Sequence, residues 1–392
     1  MDRRFIYVPI CVILIAIAAE GAPSYFGPLM YSITKTFQCS PEAIQLTITI
    51  YVGGLAISAF VSGLLSDHYG RRRIMVLGLI IFVISSFAST LSPNLLSLLL
   101  WRLLQGMGAG VSWSVGNAMI SDVYKGISAK RMINLVHIFA GAVPPVAAAL
   151  GGIMCASWGW RLAFAALAVV LFLILLFVYW KLPETHQAIQ HRATKQPLKA
   201  GIKSLLRISL FRKYLIIKVL IVTFIFIDET NLPLILEATY GLGSAATGIT
   251  LGTSFLLYIA GGLIFNYVVN DYNSHFLVRV GFILMLAGNI AILLALPMGV
   301  ENPYLLQAVR LPIYMGWGFI FGNVTGLIMN LAPQNLGLSA SLMIGTEMVV
   351  TFIALLLINA FYNGGFYPMS IYMLLVTILC WGILRSAERK AK

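Results

Sequence analysis

Apolar residues along this chain come in long continuous runs separated by short polar breaks. The twelve runs lie at about residues 5–30, 43–66, 73–92, 95–120, 131–155, 161–181, 213–238, 246–269, 276–297, 303–331, 337–361 and 366–385. Each run is long enough to cross a hydrocarbon core of ~30 Å as a helix. Continuous runs favour helices over a barrel, whose strands would alternate apolar and polar residues. The pattern predicts an all-α membrane protein with twelve transmembrane helices.

The longest polar break, residues 182–212, divides the runs into two sets of six. We therefore predict an N-terminal six-helix bundle over 1–181, a linker over 182–212 and a C-terminal six-helix bundle over 213–392. The two sets also look related, as a duplicated six-helix unit would be. At an offset of 208 residues, the matching pairs are Glu20 with Asp228, Arg102 with Arg310, Gly108 with Gly316 and Gly110 with Gly318.

Charge changes this picture by giving the helices an orientation. Only 10% of the residues are charged, whereas a soluble domain carries about 25%. The net charge of +13 would suit nucleic acid, but the basic residues lie in alternate loops, in the linker and at both ends. This distribution is typical of cytoplasmic loops in membrane proteins. We expect a multi-pass integral membrane protein with a cytoplasmic linker, both termini cytoplasmic, and no nucleic-acid partner.

Two motifs carry a family resemblance. The loop after run two reads Gly63-Leu-Leu-Ser-Asp67-His-Tyr-Gly70-Arg71, and run four reads Arg102-Leu-Leu-Gln-Gly-Met-Gly-Ala-Gly. Here the sequence resembles the major facilitator superfamily, and within it the bicyclomycin/chloramphenicol-resistance type of drug:proton antiporter. The resemblance covers nearly the whole chain. It implies the major facilitator fold, a bacterial inner (cytoplasmic) membrane and a monomer.

The loop motif has a physical interpretation. Gly63 lets two helix ends approach, and Gly70 permits a tight turn between helices. The resemblance implies that Asp67 and Arg71 form a conformational latch that holds the halves together, with Asp122 as a third member. The other interpretation is that the loop charges only anchor the topology.

Run five contains a second recognisable pattern, Pro144-Pro145 followed by Gly151-Gly152. It resembles the Gly/Pro-rich antiporter motif of the family, although Val143 rather than glycine precedes the prolines. Small residues allow helices to pack closely, and proline bends a helix. The pattern favours antiport slightly, because an ordinary membrane kink would look similar.

Ionisable residues inside the runs are the main functional candidates, since each costs at least ~2.5–3.5 kcal/mol at the bilayer centre. The sequence candidates are Glu20, Arg102, Asp228, Glu229, Arg310 and Glu347. The resemblance implies that helices one, four, seven and ten line a central cavity. Glu20 and Arg102 would then face one another, and Asp228 or Glu229 would face Arg310.

We expect Glu20 to be the proton carrier, because it is the one acid in run one, with Asp228 and Glu229 as second choices. The alternative for each is a static buried ion pair. Arg102 and Arg310 stay protonated and are expected to orient substrate beside Glu20. Aromatic side chains that would form walls for a substrate are Tyr25, Trp113, Tyr258, Tyr314 and Trp317. Roles for Glu347 and His137 stay open.

These residues predict a secondary transporter rather than an enzyme. The sequence has no P-loop and no H-E-x-x-H motif, so we expect no cofactor and no metal, with the proton gradient as energy source. The leading hypothesis is a proton-coupled antiporter that exports drugs or small organic metabolites by alternating access. The alternatives are a proton-coupled importer of a nutrient or peptide-like solute, and a non-transporting membrane receptor or scaffold. The expected partners are a small-molecule substrate, protons and membrane lipids.

Overall fold

The computed structural model describes residues 3–124, 126–185, 198–268, 273–332 and 336–391. Within these ranges the chain is helical and contains no β-strand. The α-helices of the described residues are α1 (Tyr7–Phe26), α2 (Met30–Phe37), α3 (Pro41–Tyr69), α4 (Arg71–Thr90), α5 (Leu95–Val123), α6 (Gly126–Gly141), α7 (Val143–Lys181), α8 (Leu198–Arg207), α9 (Ser209–Leu234), α10 (Ser244–Val268), α11 (Ser274–Ala295), α12 (Pro303–Asn330), α13 (Leu336–Ala360) and α14 (Phe366–Ala391).

The helices form two compact units. Unit 1 is Met1–Lys195 and holds α1–α7, and unit 2 is Gln196–Lys392 and holds α8–α14. Of the predicted linker, residues 186–197 lie outside the described part of the chain. Within that linker, Leu198–Arg207 forms α8, a short helix on which Gly201 faces Leu338 of α13, and α9 begins at Ser209. The helical structure therefore continues into the stretch that the polar pattern assigned to a linker.

Among the described residues, ten helical stretches are long and apolar enough to cross a membrane. One of them, Phe139–Lys181, spans 43 residues. It contains Gly159, whose φ of 77° and ψ of 166° interrupt the helix, so this stretch supplies two of the predicted runs. The predicted run over 213–238 falls on α9, which is not among the ten because it carries several charges. The chain is a multi-pass integral membrane protein, and its all-α class is confirmed.

One predicted run boundary is wrong, and one predicted run contains an interior break. The first run continues through α2 to Phe37 instead of ending at about residue 30, because α2 is amphipathic and its polar side chains hide the helix from a hydropathy pattern. Run five breaks at Ala142, between α6 and α7. Pro144 and Pro145 lie in the first turn of α7, where a missing N–H costs nothing. The interruption of the helix at Ala142 thus lies directly before these prolines.

The paired glycines of α5 and α12 pack in the same way in both units. A Cβ on Gly108 would lie 2.6 Å from the backbone of α4, and one on Gly316 would overlap the backbone of α11. A Cβ on Gly110 would lie 2.9 Å from a backbone carbonyl oxygen of α3, and one on Gly318 would overlap a carbonyl oxygen of α10. Thus α5 packs against α4 and α3, and α12 packs against α11 and α10, through equivalent glycines. The prediction of two pseudo-symmetric six-helix bundles is confirmed.

Candidate functional site

Arg102 is the buried cation of unit 1, and its side chain has no exposed surface. Its Nε donates to the carbonyl oxygen of Thr47 at 3.3 Å, and its Nη1 donates to Oε1 of Gln105 at 2.5 Å. Its guanidinium carbon lies 4.3 Å from the ring centroid of Phe26 and 4.4 Å from that of Tyr51. A buried charge is costly unless it is hydrogen-bonded. These contacts from α1, α3 and α5 hold the arginine in one orientation.

The surroundings of Arg102 extend to one further helix, α4, and along α1 towards Glu20. Gln105 donates to Oγ of Ser86 on α4 at 2.7 Å. The Tyr51 hydroxyl donates to the carbonyl oxygen of Ala19 at 3.0 Å. Glu20, the next residue on α1, is half-buried. The structure thus brings Arg102 against the helix that carries the predicted proton carrier.

Arg310 is the corresponding buried arginine of unit 2 and lies on α12. Its Nη2 donates to Oδ1 of Asp228 on α9 at 2.5 Å, and its Nη1 donates to Oε1 of Gln307 at 2.9 Å. The Tyr314 hydroxyl donates to the second carboxylate oxygen of Asp228. Gln307 donates in turn to Oγ of Ser254 at 2.5 Å. The predicted pairing of Asp228 with Arg310 is present, and both carboxylate oxygens are engaged.

The two arginines are held by the same residue types in a different order. Each guanidinium meets a glutamine three positions away on its own helix, and each glutamine donates to a serine of a neighbouring helix. Gln105 follows Arg102, whereas Gln307 precedes Arg310. The glutamines therefore do not correspond under the 208-residue offset, although the arginines do. Each unit surrounds its arginine with an amide and a hydroxyl.

Asp228 and Glu229 line a small recess of unit 2 together with aromatic side chains. Tyr314, Trp317 and Phe255 form much of its wall, and its volume is about 20 Å³. A space of this size holds roughly one water molecule, so an organic substrate would reach this aromatic wall only in a conformation in which the recess is wider. Both acids are more than nine-tenths buried. The recess therefore suits proton exchange better than binding of a large solute.

Trp317 combines an aromatic stack with a polar atom that faces no acceptor. Its ring lies 3.9 Å from the ring of Tyr258 in a stacked geometry and 5.7 Å from that of Phe321. Its buried indole N–H finds no hydrogen-bond acceptor within the described residues. Because a buried donor without an acceptor is costly, this N–H suits a ligand that brings an acceptor.

The other two aromatic candidates contribute to packing within unit 1. The buried Tyr25 hydroxyl donates to the carbonyl oxygen of Ala163 at 2.9 Å, and a Cβ on Gly151 would overlap the Tyr25 carbonyl oxygen. Gly151 and Gly152 are both buried on α7. Trp113 is half-buried and packs against the apolar core of unit 1. The Gly151 position thus lets α1 and α7 approach closely.

The loop motif forms a charged network at one end of unit 1. Arg71 contacts Oδ1 of Asp67 at 2.7 Å, Oδ2 of Asp122 at 3.2 Å and Oγ of Ser66 at 2.6 Å. A Cβ on Gly63 would lie 3.0 Å from a side-chain oxygen of α5. The structure therefore brings together the three charged residues predicted for the latch, through contacts between α3, α4 and α5.

Glu184, just after α7, caps the start of α4. Its carboxylate accepts hydrogen bonds from the backbone N–H groups of Arg71 at 3.0 Å, Arg72 at 3.2 Å and Thr185 at 3.0 Å. The first N–H groups of a helix lack partners and its N-terminus favours negative charge. Gly70 has φ of 100°, and a Cβ there would lie 2.7 Å from Oε2 of Glu184. Glycine at this turn therefore leaves room for the carboxylate.

A second charged cluster of unit 2 lies apart from Arg310. Lys218 of α9 is buried, and its Nζ lies 2.8 Å from the ring centroid of Phe321. Glu347 of α13 is also buried and interacts electrostatically with Lys218. The structure thus gives Glu347 a cationic neighbour. The His137 side chain lies outside the described residues.

Sequence reasoning missed several of these residues. Gln105 and Gln307 had a usable signal, because side chains three positions apart on a helix face the same side. Lys218 lies inside a predicted run and was overlooked beside the basic linker. The capping role of Glu184 was not predicted, since the α4 backbone N–H groups that it accepts lie more than 100 residues away in sequence.

The fold and these buried charges define a membrane transporter of a known superfamily. The family model described as Major Facilitator Superfamily matches residues 10–355. The match covers most of the chain, and the chain belongs to the Major Facilitator Superfamily. It is therefore a transporter and not an enzyme.

Relatives within the superfamily include drug-resistance proteins. The "Uncharacterized MFS-type transporter YdgK" of Bacillus subtilis is 26% identical over 339 residues, which cover 83% of each chain. The "Bicyclomycin resistance protein homolog" of Haemophilus influenzae is 23% identical over 410 residues, covering 99% of this chain and 98% of the relative. The resemblance to the bicyclomycin-resistance type is confirmed.

A solved structure shares the fold across the whole chain. The crystal structure of a D-xylose-proton symporter superposes with a TM-score of 0.79, covering 96% of this chain and 97% of the other at 13% identity. At this identity the likeness shows the fold alone.

Proposed function

We propose that the protein is a proton-coupled antiporter that exports drugs or other small organic metabolites by alternating access. The observation that carries this proposal is the presence of acids inside membrane-spanning helices: Glu20 is half-buried on α1, and Glu229 is buried on α9 beside a water-sized recess. Buried acids in membrane spans are costly and are kept for ion or proton pathways. The drug-resistance name of a full-length relative supports export.

Proton coupling is proposed for Glu20, Asp228 and Glu229. Glu20 stays the first choice, because it is half-buried on α1 next to Ala19. The Ala19 carbonyl oxygen accepts a hydrogen bond from Tyr51, whose ring contacts the Arg102 guanidinium. Asp228 accepts hydrogen bonds from Arg310 and Tyr314 at both oxygens, which fits a static pair better than a carrier. Glu229 is the stronger second choice in unit 2.

Substrate contact is proposed for Glu20, the two buried arginines and the aromatic wall of unit 2. The indole N–H of Trp317 and the Tyr314 ring support a substrate that carries a hydrogen-bond acceptor on a flat apolar body. Arg102 and Arg310 are hydrogen-bonded to their glutamines, so we propose that they orient the substrate through their fixed charges.

The network of Asp67, Arg71 and Asp122 is proposed as part of the conformational latch, with Gly63 and Gly70 shaping its turn. Its support is that one arginine joins two acids from different helices. We further propose that the protein works as a monomer in the bacterial inner membrane, with both termini cytoplasmic. The basic loops support this orientation.

The test of coupling is Glu20→Gln in proteoliposomes that contain a trapped pH-sensitive dye. With bicyclomycin as the probe, we expect wild-type protein to move protons against the probe, and Glu20→Gln to fall to the level of empty vesicles. Glu42→Gln, an exposed acid at the start of α3, is the matched control and should transport normally. Normal proton movement in Glu20→Gln would remove Glu20 from the mechanism.

The second candidate function is proton-coupled import, favoured by the shared fold with a D-xylose-proton symporter. The two functions differ in the direction of coupling. An antiporter accumulates its solute against the direction of proton flow, and a symporter accumulates it along that flow. Reversing the imposed pH gradient in the same vesicles separates them.

A further inference from the structure

A cleft opens at one end of unit 1, beside the capped start of α4. Its volume is about 530 Å³. The end of α7, the start of α1 and Arg72 of α4 form its walls. Arg102 is not among the residues that line it, and neither the loop network nor the proposed transport path uses it.

The cleft is lined by two cations, Arg72 and Lys181, and one acid, Glu184, so its side chains carry a net positive charge. Arg72 donates through one guanidinium nitrogen to the carbonyl oxygen of Tyr179 at 2.7 Å, and the Lys181 Nζ lies 5.2 Å from the ring centroid of Tyr7. The acid of the cleft, Glu184, already accepts three backbone N–H groups. The cleft therefore favours an anion.

An apolar stripe on α7 leads directly to this cleft. Its exposed members are Val169, Val170, Phe172, Leu173 and Leu176, and it ends at Tyr179 and Trp180. The Trp180 side chain is 79% exposed. In a membrane-spanning chain, such a stripe faces lipid tails, and exposed tryptophan and tyrosine lie at the headgroup level. A lipid whose acyl chains lie along this stripe would therefore have its headgroup at the level of the cleft.

We propose that this cleft binds the phosphate of an anionic phospholipid headgroup, held by Arg72 and Lys181 with the acyl chains along α7. Guanidinium and ammonium groups both bind phosphate well. The stripe on α7 selects a lipid over a free anion, because only the lipid also covers exposed apolar surface. Trp180 would lie at the boundary between headgroup and chains.

The test measures lipid binding to the purified full-length protein by native mass spectrometry. Dioleoylphosphatidylglycerol, dioleoylphosphatidylcholine and inorganic phosphate serve as probes. We expect phosphatidylglycerol to bind more tightly than phosphatidylcholine, and inorganic phosphate not to compete at millimolar concentration. Each cation near an anionic lipid contributes about fivefold in affinity, so Arg72→Gln with Lys181→Gln should lose about 30-fold.

Two single variants make the result specific. Lys181→Gln alone changes an exposed residue and should lose about fivefold, even if the double variant folds poorly. Arg73→Gln removes an exposed neighbouring cation outside the cleft and should bind the lipid normally. Equal losses in Arg73→Gln and Lys181→Gln would overturn the site in favour of general surface charge. Displacement of the lipid by inorganic phosphate would overturn it in favour of a simple anion pocket.

Discussion

Arg310 and Asp228 are each more than nine-tenths buried, and each lies within hydrogen-bonding reach of the other. Moving two charges out of water costs several kcal/mol, which attraction repays only when the remaining polar atoms are also satisfied. Here Gln307 and Tyr314 supply those additional hydrogen bonds. Removing one member of such a network leaves the others buried without partners.

We expect Asp228→Asn to destabilise unit 2 by about 3–5 kcal/mol, because it leaves the Arg310 charge uncompensated. Tyr314→Phe removes one hydrogen bond to the carboxylate and should cost about 1–3 kcal/mol. Thermal unfolding of the purified protein in detergent, followed by tryptophan fluorescence, measures both.

Tyr372→Phe is the matched control for this pair. Its half-buried hydroxyl lies 2.9 Å from the Thr223 hydroxyl and is hydrogen-bonded to no carboxylate of the described residues, so its removal should cost about 0.5–1.5 kcal/mol. If Tyr372→Phe destabilises the protein as much as Asp228→Asn does, the buried ion pair contributes no more to stability than an ordinary hydrogen bond.

At this scale the sequence identified the charged residues and missed the neutral ones that hold them. Arg102, Arg310 and Asp228 stand out in apolar runs because charge in lipid is rare. Gln105 and Gln307 do not stand out in the same way, because an amide costs less to bury. Only the structure shows that each amide is a contact of a buried guanidinium.

At the scale of elements, α10 and α12 approach through Gly318, whose Cβ position is occupied by the backbone of α10. We expect Gly318→Ala to destabilise the protein by about 1–3 kcal/mol, since the two helices must separate to fit a methyl group. The midpoint of thermal unfolding in detergent is the measurement.

Gly322→Ala, one turn further along α12, is the matched control. A Cβ there meets open space, and replacing glycine by alanine in a helix stabilises by roughly 0.5–1 kcal/mol. The two variants should therefore shift the melting temperature in opposite directions. Shifts of the same sign would show that helix propensity, and not the close approach, decides the outcome.

The elements were predictable where hydropathy alone determines them. Long apolar helices such as α3 and α11 follow their runs closely, because lipid leaves the backbone no alternative to a helix. The amphipathic α2 and the join at Ala142 were not predictable in this way. The first has polar residues at helical spacing, and the second depends on how Pro144 and Pro145 begin a helix.

At the scale of the whole molecule, the chain consists of two compact units that carry matching glycine contacts and matching buried arginines. Weak internal similarity predicted this duplication, because Arg102 and Arg310 recur at a fixed offset. The surroundings of the two arginines have diverged, so the offset did not predict which residues satisfy them. A duplicated unit with its own packed helices should hold its structure by itself.

We therefore expect residues 1–195 and 196–392, each expressed alone, to insert into membranes and to give helical protein that unfolds cooperatively. Recovery in the membrane fraction measures insertion, and circular dichroism at increasing temperature, in detergent, measures helical content and cooperativity.

The matched control divides the chain inside unit 1, in the short turn between α4 and α5 at residues 91–94. The fragment that ends there lacks α5, which packs against both α3 and α4 through glycine contacts, so it should melt without cooperativity. Two results would contradict this expectation: cooperative melting of the shorter fragment, or non-cooperative melting of residues 1–195. Either would mean that the packing within a unit does not by itself determine the unit's stability.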